Sequence, residues 1–276
     1  MKRILIADDD RTVREWLAGI LRAEKYEVAT AADGSATLKK LRNGRFDLVL
    51  LDVRMPVISG LDVLAALRGK KNSPKVIVIT SDDSPSTVLA AIRENAHQYI
   101  AKPIDQTTLV ALVRQTLGKK APLHTIEVIS ARPDWVELAV PCSLEAAERL
   151  EGFMAHLESG LPEETRIAIG QAFHELLMNA IEWGGKLDPR SKVRISYLRA
   201  KRMVMYRIAD PGPGFKLAEL DHAAVAKGDE PMRHCEDRAE KGLRPGGFGL
   251  VMVRASVDEL LYNEKHNEVV FVKYLD

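Results

Sequence analysis

The chain has 276 residues, with 40 Lys and Arg against 39 Asp and Glu, and the resulting net charge of +1 gives no global signal for nucleic acid or an anionic membrane. Its 46% hydrophobic content can fill one large core or two modest ones, and ordinary domain size favours two. Cys142 and Cys235 lack zinc-site spacing and read as reduced thiols, acids interrupt the start where a signal peptide would stay apolar, and no apolar run approaches membrane-spanning length, so a soluble cytoplasmic protein is expected.

From Met1 to about Leu117, short apolar runs alternate with amphipathic stretches. Ile4 to Ala7, Phe46 to Leu51, Val76 to Thr80 and Tyr99 to Ala101 predict strands apolar on both faces, the pattern of a parallel sheet covered by helices. Segments such as Val13-Trp16-Leu17-Ile20-Leu21 supply the covers, giving a doubly wound α/β domain over residues 1–118. Gly118-Lys119-Lys120-Ala121-Pro122 breaks the last helix, and residues 119–122 are read as a linker.

Residues 123–276 follow a different order. Ile126 to Ile129 and Trp135 to Val140 predict a strand pair turning at Arg132-Pro133-Asp134, then helices at Leu144 to Leu157 and Glu163 to Trp183. Val193 to Leu198 and Met203 to Ala209 predict two more strands. A polar, mobile stretch from Lys216 to Arg244 follows, then a helix from Phe248 to Leu260 and a hairpin of Leu260 to Asn263 with Val269 to Tyr274. The expected product is an α+β sandwich, a mixed sheet with helices on one face.

In an open parallel sheet, ligands bind beyond the carboxyl ends of the strands, where this sequence puts its unusual polar residues. Asp8 and Asp9 follow the first strand, Asp52 ends the central run, Thr80 ends the next and Lys102 follows Ala101. Converging carboxylates repel unless a hard cation sits between them, which implies Mg²⁺. With Lys102 neutralising an incoming phosphoryl group and Thr80 bonding its oxygens, Asp52 is the natural nucleophile. Singly, each residue also has a plainer reading: Asp10 can cap a helix starting at Arg11, and Lys102-Pro103 can be a simple turn.

The ordered set Ile6-Ala7-Asp8-Asp9-Asp10, Leu51-Asp52-Val53-Arg54-Met55-Pro56, Gly60, Ile79-Thr80-Ser81 and Ala101-Lys102-Pro103 closely resembles response-regulator receiver domains of the flavodoxin-like fold. The resemblance implies phosphorylation of Asp52 by a separate histidine kinase, Mg²⁺ on Asp9, Asp52 and the Arg54 carbonyl with Asp8 assisting, and a Thr80/Tyr99 switch that re-poses one face. Lys102-Pro103 resembles the family's cis peptide bond.

In the second half, helical spacing puts Glu175 and Asn179 one turn apart on one face, while Ala172, Phe173, Leu176, Leu177, Ala180 and Ile181 fill the adjoining apolar face. The Asn179 amide oxygen suits a Mg²⁺ bound to phosphates, and Glu175 can take a proton from an attacking hydroxyl or water. Asp210-Pro211-Gly212-Pro213-Gly214 offers an acceptor for an adenine amino group beside glycines that admit a close base, or else forms an ordinary tight turn. Arg244-Pro245-Gly246-Gly247-Phe248-Gly249 opens a helix whose unpaired amides suit phosphate.

In this order the three motifs resemble the N, G1 and G2 boxes of the GHKL ATPases, over residues 123–276. Glu175 to Glu182 and Gly247 to Val253 look most like the anti-sigma-factor serine kinases, whose fold is a Bergerat sandwich. That likeness implies ATP and Mg²⁺ as ligands, with Mg²⁺ on Asn179, adenine on Asp210, and Gly212, Gly214, Gly247 and Gly249 lining the nucleotide. It also implies Glu175 as base, an ATP lid over 216–245, and phosphate contacts from Lys241 and Arg244, with Gly246 in the same glycine run. Trp183-Gly184-Gly185 stands where the family often has His-Gly, and Trp183 is expected to pack. His156 and His174 are read as structural or surface residues, and no helical hairpin carries a phosphoacceptor histidine.

Together the resemblances predict a two-component signalling protein whose Asp52 is phosphorylated by an upstream histidine kinase and regulates an ATP-binding serine/threonine kinase domain. Its downstream partner would be an anti-sigma antagonist, a sigma factor or both, with no direct nucleic-acid or membrane contact, and a homodimer is compatible with both families. Two alternatives stay open: a non-catalytic ATP-dependent partner-switching scaffold, and histidine kinase-like transfer to a separate protein.

Overall fold

The structure, a computed structural model, describes residues 1–70, 73–82, 84–118, 124–132, 134–214 and 249–275. The proposed 119–122 linker therefore lies outside the described residues. The chain divides into two compact units, Met1–Leu123 with Gly152–Leu157, and His124–Glu151 with Glu158–Asp276.

The first unit is built on five parallel strands, β1 (Arg3–Ala7), β2 (Glu27–Ala31), β3 (Leu48–Asp52), β4 (Lys75–Thr80) and β5 (Gln98–Ala101), in the order β2-β1-β3-β4-β5. Helices α1 (Arg11–Ala23), α2 (Gly34–Asn43), α3 (Gly60–Leu67), α4 (Pro85–Arg93) and α5 (Gln106–Gly118) make the crossovers. Every residue of β3 is buried, as a strand covered on both faces requires. Ile4, Ile6, Leu48, Leu50, Ile77 and Ile79 pack with Leu17, Leu21, Leu109 and Val113, each such side chain contributing about 1.5–3 kcal/mol on burial. Asp10 caps α1 by accepting from the Thr12 and Val13 amides, so the helix-cap reading of that acid is correct. Strand β2 was absent from the expected set: Glu27-Val28-Ala29-Thr30-Ala31 is a half-exposed edge strand, without the continuous apolar run that marks its neighbours.

The second unit is a six-stranded sheet in the order β10-β11-β9-β8-β7-β6. Its strands are β6 (Glu127–Arg132), β7 (Trp135–Pro141), β8 (Lys192–Ala200), β9 (Met203–Ala209), β10 (Glu259–Tyr262) and β11 (Glu268–Tyr274). All five pairings are antiparallel, which corrects the mixed sheet expected. Its helices are the first part of α6 (Leu144–Leu157, of which Gly152–Leu157 are counted in the first unit), α7 (Glu163–Asn179) and α8 (Gly249–Ser256), with a π-helical turn at Ala180–Gly184 directly after α7. The helix expected to reach Leu260 stops at Ser256, because Glu259 to Tyr262 exchange their apolar periodicity for a ladder with Val269 to Val272.

Beneath α7 an aromatic cluster joins helix to sheet: Tyr206 lies 4.8 Å from Phe173, 5.0 Å from Tyr197 and 5.0 Å from Phe271, centroid to centroid. Tyr206 donates its hydroxyl to Glu158, a carboxylate only 3% exposed. Burial pushes the Glu158 pKa from 4.5 to about 7, against the pull of the Tyr206 bond and of the Arg199 and Arg166 charges. A carboxyl raised on folding favours the native state fully below its unfolded value, and that advantage is lost as pH rises through 4.5 to about 7. Glu158→Gln keeps an acceptor for Tyr206 and removes the charge. In urea unfolding, its stability relative to the parent should be near zero at pH 4.5 and rise to a few kcal/mol by pH 8, at about 1.4 kcal/mol per pKa unit. A difference independent of pH would contradict this account of the buried carboxyl.

Candidate functional site

At the carboxyl edge of the parallel sheet, β1 delivers Asp8, β3 delivers Asp52, β4 delivers Thr80, and the residue after β5 is Lys102. The Lys102 Nζ donates to Asp8 Oδ2 at 2.8 Å and to Asp52 Oδ1 at 2.9 Å. Both carboxylates are nearly inaccessible, Asp8 at 2% and Asp52 at 3%. Burial raises the pKa of Asp52 and the Asp8 charge adds to it, while Lys102 and the Arg54 amide pull it down. Burial alone would lower Lys102, yet its bonds to the two acids hold it above its ordinary value. The result is a shielded carboxylate with a fixed ammonium beside it, which can receive an anionic group without a large charge penalty.

Asp9 is exposed, and among the described residues no three His, Cys, Asp or Glu side chains gather closely enough to hold a metal. Thr80 is fully buried, its hydroxyl accepting from the Asp82 amide at 3.1 Å, and Tyr99 donates its hydroxyl to the Asp82 carbonyl. Arg54 reaches Asp82 at 3.1 Å. The Lys102-Pro103 peptide is cis. Thr80 and Tyr99 therefore meet on one short loop, with Arg54 at its other side.

The second constellation forms where α7, the π turn, the end of β9 and the start of α8 meet. The expected apolar face of α7 is buried throughout, including Ala172, Phe173, Leu176 and Leu177, and continues into Ala180 and Ile181. Glu175 and Asn179, one turn apart, are half-buried. A methyl group added at Gly249 would sit 2.3 Å from Glu175 Oε2, so the carboxylate lies against bare backbone at the start of α8. Likewise, a methyl group at Gly184 would sit 2.3 Å from Asp210 Cγ. The Gly212 amide donates to Asp210 Oδ1 at 2.7 Å, closing the turn after β9. Burial raises the Asp210 pKa, opposed by that amide. Next to it, a methyl group at Gly185 would meet the Cys142 sulfur at 2.1 Å, and burial, with the charges of Asp210 and Asp188, pushes the buried Cys142 thiol up to about 11.

Asp210, with Gly212, is thus set against Gly184, and Glu175 against Gly249, nine residues apart along α7 and the π turn, while Lys241, Arg244, Gly246, Gly247, Cys235 and the 216–245 segment lie outside the described residues. Trp183, expected to pack, is 53% exposed: the wider π turn shifts the register of the helix end, so that Ile181 turns inward and Trp183 outward. His174 pairs with Glu151 at 2.8 Å, in keeping with a structural role. Sequence reasoning missed the purpose of Gly184-Gly185, which stood out only as a departure from a motif. It also missed Asn267, whose side chain reaches the Asp210 turn. The signal available for the glycines was their pairing directly behind an apolar helix.

Residues 4–114 match the family model described as response regulator receiver domain, and residues 141–273 match that of the histidine kinase-like ATPase domain. The chain is 35% identical over 141 residues to the transcriptional regulatory protein PrrA of Mycobacterium tuberculosis, covering 50% of this chain and 60% of that one. It is 37% identical over 130 residues to the response regulator MprA of the same organism, covering 47% and 56%. The chain thus spans less than two thirds of these curated relatives. Response regulator TrrA of Thermotoga maritima, solved in complex with Mg²⁺-BeF, is 39% identical, with 42% of this chain and 99% of that one covered at a TM-score of 0.39. No helix among the described residues is long and apolar enough to cross a membrane. The chain carries a response-regulator receiver domain followed by a histidine kinase-like ATPase domain, the composition of a two-component signalling protein with an ATP-binding module.

Proposed function

We propose that Asp52 accepts a phosphoryl group from an upstream histidine kinase and that this state regulates a protein serine/threonine kinase activity of the ATPase domain. The observation that supports the kinase half is the pair of close contacts, Gly184 against Asp210 and Gly249 against Glu175, which set an acceptor for adenine at one point, and a carboxylate with a helix amino terminus at another, nine residues apart on the same stretch of helix. Asp210 reads the adenine amino group, and Gly212, Gly214 and Gly249 line the nucleotide, with Lys241, Arg244, Gly246 and Gly247 contributing phosphate contacts. Glu175 takes the proton of a substrate hydroxyl as its oxygen bonds the γ-phosphorus and the bond to ADP breaks. In the receiver, an Asp52 oxygen attacks phosphorus while the donor histidine leaves, Lys102 balances the added charge, and Thr80 bonds a phosphoryl oxygen.

The donor set around Asp52 is oxygen only, and two buried carboxylates sharing one ammonium leave excess negative charge, so the residues fit a hard cation such as Mg²⁺. Asp8, Asp52 and the Arg54 carbonyl would hold it there once the exposed Asp9 turned in to join them, since as placed the three acids do not gather around one point, and Asn179 would hold a second with the ATP phosphates. When bound, such an ion supplies neutralisation of phosphoryl charge. The substrate class, a serine or threonine on a small anti-sigma antagonist protein, rests on the likeness of residues 175–182 to the anti-sigma-factor kinases. Regulation is a population shift, for which a coupling of about 1–3 kcal/mol suffices to change activity several-fold to a hundredfold.

Three measurements test this reading. Incubation of the full chain with labelled ATP and candidate antagonist proteins should give acid-stable phosphate on serine or threonine, reduced about 10²–10⁴-fold by Glu175→Ala. ATP-dependent capture without transfer would instead mean a scaffold, and an acid-labile product would mean phosphohistidine. Gly184→Ala, which drives a methyl group into Asp210, should weaken Mg-ATP binding by at least about tenfold while Asp52 still accepts phosphate from a small acyl-phosphate donor. Unaltered ATP affinity would remove the Asp210 contact from the pocket. Asp52→Ala should abolish both acyl-phosphate formation and any donor-dependent change in kinase activity. A donor effect that survives the substitution would place regulation elsewhere.

A further inference from the structure

The turn between β10 and β11 is built as a clamp on the Asp210 loop. The β11–β9 ladder runs to the Glu268–Ala209 pair, and the Asp210 amide extends it by donating to the Asn267 carbonyl at 2.9 Å. Arg207 anchors the next residue through two bonds to Glu268, each 2.7 Å. Asn267 then leaves the ladder with its side chain turned toward the loop. Its Nδ2 donates to the Gly212 carbonyl at 3.2 Å and, more weakly, to the Asp210 carbonyl at 3.5 Å.

The orientation of that amide follows from its neighbours. Asn263 Oδ1 accepts from two backbone amides, Asn267 at 3.1 Å and Glu268 at 3.2 Å, and so must be the oxygen. The other end of the Asn263 amide is therefore a donor, and it meets Asn267 Oδ1 at 2.8 Å. Asn267 consequently presents its NH₂ group to the two carbonyls. At the far end of the loop, Gly214 adopts φ +83°, and a methyl group there would lie 1.7 Å from the Lys265 carbonyl. The loop is thus held at both ends by one turn, and only backbone fits at the second contact.

We propose that Asn267 is a positioning residue for nucleotide recognition: with Asn263 it fixes the turn that aims the Asp210 carboxylate, and so sets the preference for adenine over bases lacking an amino donor at that point. The inference rests on the reading of Asp210 as the adenine acceptor. One Asp210 oxygen is engaged by the Gly212 amide at 2.7 Å, so rotation of the Pro211–Gly212 peptide, which lies between the two carbonyls that Asn267 holds, swings the carboxylate with it. Asn267 holds the carbonyl of that same glycine.

The test is the affinity of the full chain for Mg-ATP and for Mg-ITP, whose base carries an oxygen in place of the amino group, measured for the parent, Asp210→Ala, Asn267→Ala, Asn267→Asp and Asn263→Ala. The parent should prefer ATP. Asn267→Asp, which keeps size but puts an oxygen against two carbonyls, and Asn267→Ala should each lower ATP affinity on the order of tenfold with ITP affinity little changed, so that the ratio collapses. Asn263→Ala should do so partially. The ITP affinity reports on whether the pocket is still folded. Equal loss of both nucleotides would reveal a merely structural residue and overturn the proposal, as would an unchanged ratio. If the parent shows no preference, or Asp210→Ala retains it, the adenine reading itself fails and takes this inference with it. If Asp210→Ala abolishes the preference and the Asn267 variants keep it, only the inference fails.

Discussion

A side chain can lie against a backbone more closely than against another side chain only where the Cβ is missing, and the ATP-binding half is organised by that constraint. Asp210 occupies the space a Gly184 methyl would need, and Glu175 occupies that of Gly249. The two contacts pin a strand end and a helix start to points nine residues apart on one helical segment, although the residues involved span positions 175 to 249. The π turn at Ala180–Gly184 brings Gly184 to Asp210 while keeping Ile181 buried. Among the described residues each carboxylate thereby gains a fixed place without an ion pair, and the half-buried environment raises Asp210 rather than silencing it.

The receiver solves the same problem with charge. Asp8 and Asp52 are buried too deeply to be held apart by solvent, and Lys102 is shared between them at nearly equal distances. Breaking such a set by removing one member leaves an uncompensated charge, typically at a cost of about 3–5 kcal/mol, so the trio is under constraint from stability as well as chemistry. Thr80, Asp82, Tyr99 and Arg54 form a linked group beside it. The Thr80 hydroxyl accepts from the Asp82 amide, and in the proposed switch it would give its own hydrogen to a phosphoryl oxygen while keeping that bond, so one side chain would tie the Asp82 loop to the new group.

Much of this was legible in the sequence because it rests on periodicity and chain order. The apolar runs of β1, β3 and β4 and the buried face of α7 followed directly from side-chain pattern. Strand β2 was not legible, since an edge strand with Glu27 and Thr30 has no need of a continuous apolar run. The end of α8 was misread because Val257 to Tyr262 satisfy helical and strand periods equally until β11 is available as a partner. In the site, acids and glycines could be named from their motifs, but contacts across the fold could not. Asn267 sits in a turn of ordinary composition, and its role arises from the β9–β11 register that places it beside Asp210. Gly184 carried a signal whose meaning depended on knowing where Asp210 would lie.

The account turns on whether the two glycine contacts enclose a place for a nucleotide. Titration calorimetry of the full chain with Mg-ATP tests this most directly. Saturable heat with one nucleotide bound per chain is the predicted result, and an absence of heat up to millimolar nucleotide would contradict it.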